Sequence, residues 1–173
     1  MEYIVVVTAV GTDRPGMIAA LTQAVLDAEG TVDDATMTRL HGAFATMLAA
    51  RLPSQEAVQR LRIALEPVGA RLGLTVTVQL VPETHAETPP DIGLNVYGAD
   101  RPGIVHAVTR LLGERGVNIT DMDTRVAGTP EAPLYVMLLE ASSGGRDLTD
   151  DLETLRKELG VDITRHDLDA EAL

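Results

Sequence analysis

Apolar positions along this 173-residue chain follow two periods that alternate in the same order twice. Ile4 to Val10 is an unbroken, β-branched run ending at Gly11, which predicts a strand covered on both faces. Met17, Leu21, Ala24, Val25 and Ala28 then recur every three or four residues, the stripe of an amphipathic helix, and Gly30 is the expected stop. Thr31 to Leu40 and Phe44 to Leu52 are β-prone stretches joined by a turn at His41-Gly42. Ser54, after Pro53, is placed to cap a second helix. Its stripe is Val58, Leu61, Leu65 and Val68, with Gly69 and Gly73 expected to break it. Leu74, Val76, Val78 and Leu80 alternate with Thr75, Thr77 and Gln79, an edge-type strand with one wet face.

The second half repeats that order. Ile92 to Tyr97 predicts a strand, and Ile104, Val108, Leu111 and Leu112 a helix ending near Gly116. Val117 to Asp121 opens a strand, 128–133 reads as a long turn, and Leu134 to Ala141 is the returning strand. Ser142-Ser143-Gly144-Gly145 is a loop before a helix marked by Leu148, Leu152, Leu155 and Leu159. Val161 to Leu168 closes the unit, and the acidic tail is expected to fray. Between the halves, Pro82 to Pro90 has three prolines and no apolar period, so a semi-extended linker is expected. The domains are therefore placed at 1–82 and 91–173, with a linker over 83–90.

A constant offset of 87 residues relates the halves. It pairs Gly11, Asp13, Arg14, Pro15 and Gly16 with Gly98, Asp100, Arg101, Pro102 and Gly103, and without a gap also Ala20 with Ala107, Thr22 with Thr109 and Asp34 with Asp121. One chance match of four residues is easy, but flanking identities in the same register mark a duplication. Two βαββαβ units follow: an α+β chain of tandem ferredoxin-like domains, antiparallel sheets with the helices on one face. Such sheets expose edges. Pairing the units side by side, within the molecule or across a homo-oligomer, would cover them.

Composition narrows the function classes. With no cysteine, thiolate metal sites and disulfides are excluded. His41, His85, His106 and His166 are scattered over different elements, so no metal site is expected. The N-terminus has no basic region before its short apolar stretch and does not read as a signal peptide. No apolar run approaches the roughly 20 residues of a membrane span. A cytoplasmic protein without membrane contact is the expectation. Formal net charge is −12, with 8 basic against 18 acidic residues over 83–173. Phosphate binding needs clustered basic groups, and Lys157 is the only lysine, so direct nucleic-acid binding is disfavoured. Asp33-Asp34, Asp121-x-Asp123 and Asp150-Asp151 read as solvated faces or strand ends rather than a general acid/base pair, and no nucleophile elbow, Walker loop or dinucleotide fingerprint is present. Neither catalytic residues nor a cofactor are expected.

What remains is the duplicated loop. Gly16 and Gly103 open helices, where free amides and the positive dipole end favour a carboxylate; a side chain there would hold that carboxylate away. Pro15 and Pro102 offer no amide but suit a first helical turn. Asp13 and Asp100 either cap their helices or accept a hydrogen bond from a ligand ammonium group. Arg14 and Arg101 either pair with an anion or stay solvated. The plainer alternative is a tight turn in a duplicated scaffold.

A strand, Gly-x-Asp-Arg-Pro-Gly followed by Met17 or Ile104, an amphipathic helix, and an Asn-Ile-x-Asp strand opening at Asn118 together resemble the ACT domain, once per half. Asp13 to Gly16, Asp34 to Gly42 and Phe44 to Leu48 are similar to the N-terminal ACT domain of the glycine cleavage system transcriptional repressor family. The resemblance implies a non-catalytic regulator without a DNA-binding domain. It would sense a small amino acid, glycine or similar, between paired domains near the strand-to-helix loop, and act through a protein partner, a transcription regulator. Asn118 occupies the family's Asn position, and Thr31 is its counterpart in the first half; a turn-forming Asn is the alternative. Ligand-binding candidates are thus Asp13, Arg14, Pro15, Gly16, Met17 and Thr31, and Asp100, Arg101, Pro102, Gly103, Ile104 and Asn118. The other functional reading is a ligand-independent dimerisation or docking module. ACT-like units also resemble the N-terminal portion of formyltetrahydrofolate deformylases, but two such units fill this chain.

Overall fold

Strand, helix, strand, strand, helix, strand is the order in each half of the computed structural model, which describes residues 2–82, 88–129 and 132–168. Two compact units, Met1–Ala86 and Glu87–Leu173, each fold around their own core. The first contains β1 (Tyr3–Thr12), α1 (Met17–Asp27), β2 (Thr31–Leu40), β3 (Ala43–Leu52), α2 (Gln55–Leu72) and β4 (Leu74–Val81). The second contains β5 (Ile92–Ala99), α3 (Ile104–Glu114), β6 (Asn118–Thr129), β7 (Ala132–Ser142), α4 (Thr149–Leu159) and β8 (Asp162–Asp167). Sheet orders are β2-β3-β1-β4 and β6-β7-β5-β8, with every neighbouring pair antiparallel.

The helical stripes close one face of each sheet. In the first unit Leu21 and Val25 of α1 and Leu61 and Leu65 of α2 join Val5, Val7, Phe44 and Leu48 in a continuous core. In the second, Val108, Leu112, Leu152 and Leu155 do the same over Leu94, Val96, Met137 and Leu139. The duplication extends to detail. The Thr22 and Thr109 hydroxyls donate to the carbonyls of Ile18 and Val105, at 3.0 and 2.9 Å. Bulges interrupt β2 between Val32 and Asp34, and β6 between Ile119 and Asp121, at the same repeat position.

Four sequence expectations need correction. β1 is buried on one face only: Val5, Val7 and Ala9 are fully buried, whereas Val10 is 45% exposed. Both helices lie on one side, so the β-branched run marks an inner strand rather than two covered faces. Gly30 does not take the left-handed turn that ends α1; Glu29 does, at φ 62. Gly30 is instead required by space, since a Cβ there would stand 2.6 Å from Leu52 Cδ2. Gly69 lies inside α2, as does Pro67, and only Gly73, at φ 67, stops the helix. The turn expected over 128–133 is shorter, because Gly128 and Thr129 still pair with Pro133 and Ala132; residues 130–131 are outside the described residues. So are 83–87, most of the expected linker, and the tail from 169.

Other local signals hold. Ser54 Oγ accepts the Ala57 amide at 3.2 Å and caps α2. His41 and Gly42, at φ 49 and 81, form the two-residue turn of the β2–β3 hairpin. The second unit is also clamped at its entrance. The Asp91 carboxylate accepts the Ser143 amide at 2.6 Å, the Ser143 hydroxyl at 2.8 Å and the Gly145 amide at 3.3 Å. The Ser142 hydroxyl lies 2.7 Å from the Thr88 carbonyl, so residues 88–91 are tied to the loop after β7.

Candidate functional site

Each candidate loop joins the C-terminal end of an inner strand, β1 or β5, to the first helix of its unit. The first glycine of each motif is fixed by packing. A Cβ on Gly11 would stand 2.6 Å from the Gly73 carbonyl oxygen, and one on Gly98 would stand 2.6 Å from Val161 Cγ1. Gly73 and Val161 lie where the second helix of each unit passes into its last strand. That junction backs the loop, and only glycine lets β1 or β5 pass so close to it.

The last glycine is fixed by conformation instead. Gly16 (φ 88, ψ 0) and Gly103 (φ 98, ψ −8) are the N-caps of α1 and α3, in left-handed geometry that L-residues rarely adopt. Their carbonyls accept the Ala20 and Ala107 amides at 3.0 and 2.9 Å, so the helices begin there. Nothing lies within 4 Å of where either Cβ would be. The space in front of both helix ends is open.

Neither aspartate caps its helix: α1 and α3 both lack a side-chain cap. The first-turn amides therefore keep their donors free of side-chain acceptors, since the first four N–H groups of an α-helix have no intrahelical partner. Asp13 is engaged elsewhere. Its amide donates to the Gly42 carbonyl at 3.1 Å, and its Oδ2 accepts from Arg39 Nη1 at 3.2 Å. The hairpin tip thus straps the first loop and sets a guanidinium on its carboxylate. At the offset of 87 the residue equivalent to Arg39 is Val126. Among the described residues, no side chain hydrogen-bonds or ion-pairs with Asp100, which is exposed.

The other candidates divide by place. Arg14, Pro15, Arg101 and Pro102 are exposed at the loop tips, while Met17 and Ile104 are 2% exposed and turn into the cores. Arg101 Nη1 lies 3.8 Å from where a Cβ on Gly160 would be, so its guanidinium leans over the turn into β8. Thr31 and Asn118 are exposed first residues of β2 and β6. They do not join the loops. Thr31 shares a row with Arg51 and Ile4, whereas the loop leaves β1 after Thr12 at the far end of the same strand. Asn118 pairs with Ser142, while Ala99, next to the second loop, pairs with Leu134. Eight residues at about 3.3 Å each separate the two ends by about 26 Å. Within one unit, the Asn position and the glycine loop cannot grip the same small molecule.

None of the twelve candidates lines either of two clefts, one between α2 and β4 (about 550 Å³) and one between α4 and β8 (about 490 Å³). Among the described residues no three His, Asp or Glu side chains converge as a metal-binding set, and no helix is long and apolar enough to cross a membrane. Sequence reasoning missed Arg39 and the Gly42 carbonyl. The signal for Arg39 was available in the repeat, as a charged residue in one copy facing a valine in the other.

ACT domain family models match residues 3–79 and 93–160. The chain is 25% identical over 150 residues to the glycine cleavage system transcriptional repressor of Escherichia coli, covering 84% of this chain and 78% of that protein. It is 33% identical over 75 residues to a UPF0237 protein of Methanopyrus kandleri, covering 43% of this chain and 83% of the relative. A crystal structure of an unknown protein from Galdieria sulphuraria has the same fold over 98% of this chain, with a TM-score of 0.79 and 24% identity.

Proposed function

The chain belongs to the ACT domain family, with one such domain in each half, and from that premise we propose that it is a non-catalytic regulator that senses a small amino acid and acts by contact with a partner protein. The observation that carries this reading is the second loop. There an uncapped helix start at Gly103 stands beside a carboxylate, Asp100, that no described side chain occupies. A free amino acid presents complementary groups: its carboxylate suits the first-turn amides of α3, and its ammonium suits Asp100. Open space at Gly103 admits a carboxylate to the amides, and Pro102 lies before the N-cap, so the amides of the first turn are all retained. Glycine or a similarly small amino acid is the ligand class we assign.

In the first loop the same ammonium would have to displace Arg39 from Asp13. We therefore assign ligand binding to Asp100–Ile104 ahead of Asp13–Met17. The partner we assign is a transcription regulator. Likeness to the Escherichia coli glycine cleavage system transcriptional repressor supports this. The scarcity of basic residues in a chain of net charge −12 favours contact with protein over contact with DNA. The strapped first loop supports a second reading for that unit alone, a docking module that needs no ligand.

Thermal-shift and calorimetric titration against the twenty amino acids tests the proposal. Ligand at about 100 times its dissociation constant adds roughly 2.7 kcal/mol, several degrees in the melting temperature of a unit this size. Gly103→Val should abolish that response, and Asp100→Asn should weaken it. Absence of stabilisation by all twenty at millimolar concentration refutes amino-acid sensing.

A further inference from the structure

The outer face of the second unit's sheet, the side away from α3 and α4, carries an apolar strip between acidic borders. Leu134, Val136 and Leu138 follow one another along β7, and Tyr97 and Ala99 stand beside Val136 and Leu134 on β5. Leu134 is 42% exposed, and Val136, Leu138 and Tyr97 are half-buried. Beyond Leu138 the surface stays low, because the His166 ring lies across Gly93, where a Cβ would overlap it. Acids border the strip: Asp121 and Asp123 on β6, Asp162 on β8 and Glu140 next along β7. Asp123 pairs with Arg125 at 2.6 Å and Asp162 with Arg156 at 3.5 Å. Among the described residues Asp121 and Glu140 have no ion-pair partner. In the first unit the positions of Asp123, Glu140 and Asp162 hold Thr36, Ala49 and Thr75. The fold does not require these acids.

We propose that this face docks a basic amphipathic helix of a partner protein, its apolar stripe on the strip and its lysines and arginines against the bordering carboxylates. The proposal rests on the reading of the chain as a regulator that acts by protein contact, and it names where that contact is made. Size selects a helix. From Leu134 to Leu138 the strip runs about 13 Å, and two strands make it about 10 Å wide. A helix is about 10 Å across and covers that length with about nine residues. The opposite face of the same sheet already packs two helices through Val108, Leu112, Leu152 and Leu155. Charge selects the flanks. Residues 83–173 carry 8 basic against 18 acidic residues, and an acidic border draws cationic side chains from a distance. Lysine and arginine stems lie along apolar surface while their heads reach outward, which suits a strip edged by Asp121, Glu140 and Asp162. The same acids exclude other occupants. A second copy would set carboxylate against carboxylate, and a nucleic acid would bring phosphates.

Fluorescence anisotropy with the full chain and a labelled synthetic peptide tests it. The probe has about 14 residues, long enough to form a helix, with leucines at helical spacing and lysines flanking them. One control peptide scrambles the order, and another replaces the lysines with glutamates. At low salt the striped peptide should bind about tenfold tighter than the scrambled one, and the glutamate peptide should not bind. Leu138→Lys should weaken binding by about tenfold or more, as loss of a central anchor does; Leu134→Lys, at a more exposed site, serves should that variant fail to fold. Asp121→Asn combined with Glu140→Gln should weaken binding several-fold and flatten its salt dependence. Met47→Lys, on the outer face of the first unit, should change nothing. Hydrogen exchange should slow over β6 and β7 when the peptide is bound. Equal binding of the scrambled peptide, indifference to both lysine substitutions, or slowing confined to other elements overturns the proposal. Any of these leaves amino-acid sensing standing, because titration with the twenty amino acids reads that separately.

Discussion

Asp91→Asn should destabilise the second unit more than its half-exposed position suggests. The carboxylate accepts three hydrogen bonds, from the Ser143 amide, the Ser143 hydroxyl and the Gly145 amide. Ser143 itself is 1% exposed, so its groups have no water to turn to. An asparagine retains one acceptor oxygen and sets an NH₂ donor against the remaining donors. At least one charge-assisted bond is lost and one donor is left facing another. Hydrogen bonds to charged groups contribute about 1.5–3 kcal/mol each. Discounting for partial solvent access around Asp91, the substitution should cost about 2–3 kcal/mol. In a unit of this size that lowers the melting temperature by roughly 10–20 °C.

The pH dependence has a defined sign. The hydrogen bond from the Ser143 amide, first, and then those from its hydroxyl and the Gly145 amide hold the Asp91 carboxyl below its ordinary value of 3.8. A carboxyl depressed on folding contributes stability that is present above its unfolded value and lost as pH falls through its folded value. The gap between wild type and Asp91→Asn should therefore be constant from pH 7 to pH 5 and shrink below about 3.8. Because the chain has two units, a single melting curve is ambiguous. Hydrogen exchange read by mass spectrometry over β5, β7 and α4 localises the effect. A cost below about 0.5 kcal/mol at pH 7, or a gap that persists undiminished at pH 2, would refute the clamp.

The motif glycines should fail for different reasons. Gly11→Ala and Gly98→Ala force a Cβ to 2.6 Å from neighbouring atoms and should cost about 1–3 kcal/mol as overpacking. Gly16→Ala meets open space and should cost only the left-handed strain, about 1–2 kcal/mol; chemical denaturation of each variant separates the two. Ser54→Ala removes the α2 cap and should cost about 1 kcal/mol, seen as faster exchange in the first turn of α2. Exchanging the strap, with Arg39→Val in one variant and Val126→Arg in another, should open the first loop to amino acids and close the second. Calorimetric titration of both variants reads this directly.

Fold and site were unequally legible in the chain. Spacing, β-prone runs and the repeat together placed the twelve elements, because a helix stripe such as Met17, Leu21, Val25 and a strand alternation such as Leu74 to Leu80 record which side faces a core. What it could not give was how many sides were covered. Ile4 to Val10 is apolar but for Thr8, yet one of its faces is open, since much of a folded protein's accessible surface is still apolar. Glycine was the other source of error. The same residue type stands at Gly30 for close packing, at Gly73 for a left-handed turn and at Gly69 inside a helix, and one sequence does not distinguish these demands. For Asp13 short-range rules offer a helix cap or a ligand contact, but a guanidinium 26 residues away in sequence takes its carboxylate. Long-range pairs of that kind leave no local periodicity.

The repeat turns this difficulty into information. Where both copies hold the same residue, a shared physical demand explains it: close passage at Gly11 and Gly98, left-handed caps at Gly16 and Gly103, hydroxyl bonds at Thr22 and Thr109. The fold needs these twice. Where the copies differ on an exposed position, the fold is indifferent, and something outside it must account for the difference. Arg39 against Val126 changes the charge at one loop and not the other. Met47, Thr8 and Val10 against the charged rows of the second sheet change what one outer face can meet and not the other. Both contrasts fall on the same division: one unit has its loop strapped and few charges on its outer sheet face, the other has its loop open and charges spread across that face. Two units with different roles account for both contrasts, whereas duplicates retained for a single shared role would need neither.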